Sequence, residues 1–157
     1  MITASLHEIK KELHTLDSET ITGLCMRLAK YKKENKELLN YLLFEAHDEQ
    51  AYISMVRETI NELFNALPAR NLYLIKKTLR KILRFVNKQI KYSGIRQTEV
   101  ELRVYFCTKI KEARIPLSTG TVLFNLYQQQ LNKINTAVAK LPEDLQSDYQ
   151  QEIETLT

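Results

Sequence analysis

Glycine and proline are scarce in this chain, three of each in 157 residues, against usual frequencies of about 7% and about 5%. Few chain breakers mean few tight turns and long uninterrupted elements, which points to helices. Three glycines also exclude glycine-rich phosphate cradles, and there is no Gly-x-x-x-x-Gly-Lys, Gly-x-Gly-x-x-Gly or Gly-x-Ser-x-Gly motif. Tryptophan is absent and cysteine occurs twice, at Cys25 and Cys107. Two distant thiols, each among apolar neighbours on a helical pattern, read as free, reduced and buried rather than as a disulfide. The residues three before the histidines are Ala4, Lys11 and Phe44. No Glu-x-x-His step of a carboxylate-bridged two-metal bundle exists, and no metal or cofactor is expected. The densest apolar stretch, Leu38 to Ala46, contains Asn40 and Glu45 and is too short to span a bilayer. The first residues lack the apolar core of a signal peptide. The expectations are a cytoplasmic protein, no membrane association and no enzymatic activity.

The most telling absence is of acid. From Leu63 to Thr98 there are nine Lys and Arg residues and no Asp or Glu. Outside this window the chain holds 14 cations against 19 acids, a net of −5, so the overall +4 conceals one basic segment in an otherwise acidic protein.

Apolar residues recur at spacings of three and four throughout, and start and stop signals divide them into about eight helices. Ser5-x-x-Glu8 forms a capping box for a helix to about Leu16, and Asp17 or Ser18 caps a second. A third, Lys33 to His47, is apolar over most of its circumference and is expected to be central. Asp48 caps a fourth, which Pro68 ends. The basic helix runs from about Asn71 to Ser93 and stops at Gly94. Thr98-x-x-Glu101 predicts a second capping box, opening a helix to Ala113. Val100, Leu102, Val104 and Phe106 also alternate, so a strand competes there. Pro116 and Ser118 begin the next helix, and Pro142 suits the first turn of the last. The fold class is all-α in one domain, 1–157. Stacked antiparallel hairpins (18–47, 48–93, 98–140), as in helical repeats, compete with a closed bundle as the arrangement.

On a helical projection at about 100° per residue, Lys76, Lys77, Arg80, Lys81, Arg84, Lys88 and Lys91 fall within about 140°. Leu72, Ile75, Leu79, Ile82, Leu83, Val86 and Ile90 occupy the opposite face. Three readings fit: a face solvated or paired with the chain's own acids, a nucleic-acid surface, and a surface for acidic proteins or anionic membrane. Glu58, Glu62 and the terminal acids Glu143, Asp144, Asp148, Glu152 and Glu154 are the internal partners to consider. A second candidate surface is uncharged: Ile115 to Asn132 carries no Asp, Glu, Lys, Arg or His and offers the amides Asn125, Gln128, Gln129, Gln130 and Asn132. Tyr41 and Phe44, off the main stripe of their helix, are core in a stack and an exposed patch in a bundle. The expected role is a helical interaction module with a protein partner or a homodimer; the alternative is nucleic-acid binding through 71–93.

Overall fold

The computed structural model describes residues 1–157 and is all-α, with no strand. Its helices are α1 (Leu6–Leu13), α2 (Ser18–Tyr31), α3 (Lys33–Asn40), α4 (Glu49–Asn65), α5 (Leu72–Ser93), α6 (Arg96–Glu112), α7 (Val122–Val138) and α8 (Glu143–Leu156). A π-helical turn, Tyr41–Glu45, follows α3. The chain forms two compact units, Met1–Leu43 and Phe44–Thr157.

In the first unit, α1 begins with the predicted capping box, Ser5 and Glu8 each satisfying the other's backbone N–H. Asp17 caps α2 by accepting from the Thr20 N–H. Lys32, extended at φ −148, separates α2 from α3. The two helices pack together, and Asn35 Nδ2 donates to the Leu28 carbonyl at 2.8 Å across the corner. None of α1, α2 and α3 has a buried residue. Cys25, expected to be buried, is half-exposed.

The segment predicted as one central helix, Lys33 to His47, is different in the structure. Only Tyr41 in it is buried, while Leu38, Leu42, Leu43 and Phe44 are exposed. The π turn inserts into the α-helical repeat, so the residues after Asn40 no longer continue its stripe. Apolar residues all round a helix identify its composition; burial on all sides also requires neighbours on all sides.

That place belongs to α6, which packs against α4, α5, α7 and α8. Val100, Leu102, Val104, Phe106, Cys107 and Ile110 of α6 are all buried. Phe106 meets Phe64 edge-on at 5.8 Å between ring centroids. The alternation that suggested a strand is thus two opposed sides of a helix sheathed on both. Its start also differs from the sequence reading. Ile95 caps α6 without a side-chain hydrogen bond, and Thr98 lies inside the helix, buried. The Thr98 hydroxyl donates to Glu49 Oε1 at 3.0 Å, as Ser93 does at 2.8 Å. A tertiary acceptor on α4 has displaced the local capping box.

The basic helix keeps its predicted ends. Asn71 Oδ1 accepts from the Leu74 N–H, and Gly94 at φ +68 donates its N–H to the Ile90 carbonyl. The left-handed value at Gly94 favours glycine there. Helix α7 starts later than predicted, with Thr121 as its cap, and α8 follows Pro142. Tyr52 on α4 donates to Gln89 on α5, bringing the start of α4 beside the end of α5. Tyr127 on α7 donates to the Leu156 carbonyl, tying the end of α8 to the core.

Candidate functional site

Helix α5 divides into the two faces its sequence prescribes. Ile75, Leu79, Ile82 and Val86 are buried. Lys77, Arg80, Lys81, Arg84 and Lys91 are exposed, and Lys76 and Lys88 are half-buried. The helix is about 33 Å long, and its i, i+4 cations (Lys76–Arg80–Arg84–Lys88; Lys77–Lys81) recur about every 6 Å along the axis.

The chain's own acids are engaged elsewhere or remain solvated. Salt bridges join Lys33 to Glu37, Arg57 to Glu101, Arg103 to Glu99 and Lys109 to Glu112. Among the stripe residues Lys88 is engaged within the fold; Lys76, Lys77, Arg80, Lys81, Arg84 and Lys91 have no ion pair. Helix α8, with its five acids, packs on α6 and α7. Glu58 and Glu62 on α4 are exposed and form no salt bridge. Internal pairing, the simplest way to neutralise the stripe, therefore does not reach the other six cations.

The uncharged candidates separate. Asn125, Gln129 and Asn132 are exposed and Gln128 is half-buried. Their neighbour Gln130 is buried at 1% exposure and accepts from Arg103 Nη1 at 2.8 Å. Phe44 is exposed at 63%, whereas Tyr41 is buried at 4% and offers no interface.

Arg103 is the polar centre of the second unit, 5% exposed. Its Nε and Nη2 both reach Glu99 Oε2 at 2.9 Å, and Nη1 donates to Asn87 of α5 at 3.0 Å and to Gln130 of α7. One guanidinium thereby ties three helices together. Sequence reasoning missed it, because a mid-helix arginine four residues after a glutamate resembles any surface pair. Beside it lies a cleft of about 450 Å³ between α6 and α7, lined by Arg96, Glu99, Arg103, Asn132, Lys133 and Lys140 among others. In the first unit a smaller apolar groove of about 200 Å³ runs between α2 and α3, lined by Cys25, Leu28, Leu38, Leu39 and Leu42 among others.

Burial drives the titration shifts in the core. The Cys107 thiol is pushed up to about 12, the Arg103 charge offsetting only part of the desolvation. A thiol so protonated is inert as a nucleophile at neutral pH. Burial also raises the Tyr149 hydroxyl to about 12, with Gln97 donating to it and Glu101 accepting from it.

No helix is long and apolar enough to cross a membrane, and no group of His, Cys, Asp and Glu forms a metal-binding cluster. Comparison of the chain with protein-family models, curated proteins and solved structures finds no match.

Proposed function

We propose that the protein is a non-enzymatic helical interaction module that binds the phosphate backbone of a nucleic acid through the exposed face of α5. The observation that carries this reading is the stripe itself: seven cations on one side of a single helix, six of them without a carboxylate partner. Like charges about 6 Å apart repel by roughly 0.7 kcal/mol per pair in water. The native fold leaves that repulsion standing while pairing cations elsewhere. Phosphates supply the missing counter-charge, and contact with them releases condensed counterions, a favourable term that no sequence motif is needed to obtain. Tyr73, exposed on the same side, adds an aromatic surface for a base. The pairing of α4 with α5 and of α6 with α7 supports a hairpin-built scaffold behind this face.

The test is a mobility shift of the full chain with mixed-sequence DNA and RNA at low salt. Retardation that fades as salt rises is the expected result; no retardation at any salt overturns the reading. One observation favours a second surface, used by a protein partner or by another copy of the chain. In the first unit, Leu28, Leu42 and Leu43 are all more than half exposed, an apolar surface of the kind a partner covers. Association there would be insensitive to salt, which separates the two readings.

A further inference from the structure

We propose that the cleft between α6 and α7 is a separate phosphate-binding site. Four cations line it, Arg96, Arg103, Lys133 and Lys140, with one carboxylate, Glu99. Glu99 is taken up by Arg103 at 2.9 Å, which leaves Arg96, Lys133 and Lys140 without an acidic partner around a space large enough for an oxyanion. All three are exposed and reach the cleft from different elements: the first turn of α6, the last turns of α7, and the turn after it.

The helix ends do not alter this balance. The start of α6 contributes about half a positive charge and the end of α7 about half a negative one, so the two offset each other. Three uncompensated cations remain. What the start of α6 does add is donors, because Ile95 provides no side-chain cap for the first-turn N–H groups. The floor is fixed. Arg103 uses four of its five N–H donors on Glu99, Asn87 and Gln130, which leaves one on Nη2 in a side chain that cannot swing away. A rigid buried guanidinium flanked by flexible cations suits a tetrahedral dianion. Asn132 and Thr136, also in the lining, supply neutral donors.

The site stands independently of the α5 reading, and the experiment separates them. Inorganic phosphate is titrated into the ¹⁵N-labelled full chain, following backbone amides by NMR. Wild type is compared with the double variant Lys133→Gln/Lys140→Gln and with an α5 variant, Lys77→Gln/Arg80→Gln/Lys81→Gln/Arg84→Gln. The expected result is saturable shifts at Glu99, Thr136 and Lys140 with a Kd on the order of 1 mM. These shifts persist in the α5 variant and weaken at least about tenfold in the cleft variant. Unsaturable or absent shifts in wild type, or undiminished binding in the cleft variant, overturn the proposal. Both cleft lysines are exposed, so helicity by circular dichroism is expected to be unchanged and confirms folding. A second arm identifies the source of the phosphate. If the cleft variant lowers the salt slope of oligonucleotide binding by about two units, the cleft holds backbone phosphates; an unchanged slope beside lost phosphate binding assigns it to a free phosphorylated molecule.

Discussion

Helices α5 and α6 pack against each other and treat charge in opposite ways. On α6, Arg103 pairs with Glu99, Lys109 pairs with Glu112, and Lys111 donates to the Thr155 carbonyl. Of its four cations only Arg96 is left without a partner in the fold. On α5 there is no acid at all, and six of seven stripe cations have no ionic partner. The contrast indicates that cations near a core are recruited into it when acids lie within reach in sequence. A run that excludes acids keeps its charge available to the outside.

Breaking the α6 side gives the largest effects. Phe106 is fully buried against Phe64, so Phe106→Ala is expected to lower unfolding stability by about 3–5 kcal/mol, read from urea midpoints at constant slope. Arg103→Ala follows at about 3 kcal/mol, because it leaves Glu99, Asn87 and Gln130 without their common donor. A loss near zero would show that water replaces the guanidinium and that the three-helix tie is dispensable.

The core's titrating groups sharpen the comparison through pH. Cys107 rises from an ordinary value of 9.0 to about 12 in the fold. Its stabilising contribution is therefore complete below pH 9 and lost as pH climbs toward 12, since the unfolded chain ionises first. The expected slope from this group is about 1.4 kcal/mol per pH unit within that window. Thermal melts between pH 9 and 10 check it, and Cys107→Ala is expected to flatten that dependence. On α5, by contrast, Lys77→Gln/Arg80→Gln/Lys81→Gln/Arg84→Gln is expected to change stability by less than about 1 kcal/mol. Glutamine is nearly as good a helix former, and the relief of repulsion offsets lost contacts. A large destabilisation would mean that the stripe is structural after all.

What the sequence revealed follows the same division. The limits of α5 were legible to within a residue because Asn71, the opposed faces and Gly94 are all local signals. The all-α class and the capping of α1, α2 and α4 were legible for the same reason. The central helix was not. Segment 33–47 and α6 are both apolar on more than one side, and only tertiary neighbours distinguish them. Thr98 illustrates the failure: Glu101 three residues on signals a cap, but Glu49, distant in sequence, accepts its hydroxyl. The cleft was equally hidden, since Arg96 lies more than thirty residues from Lys133 and Lys140 and α6–α7 packing alone unites them. The interface set failed at Tyr41, which projects off the apolar stripe yet is buried.

The most direct measurement is the salt dependence of nucleic-acid affinity, taken by fluorescence anisotropy on wild type and the α5 quadruple variant. Contact with about five phosphates predicts a log–log slope near −4 to −5 on duplex DNA. In the variant the slope is expected to flatten by roughly one unit for each contact removed, with affinity reduced alike for every sequence. No binding by wild type at low salt, or the same slope in both proteins, would contradict the claim that α5 is the working surface.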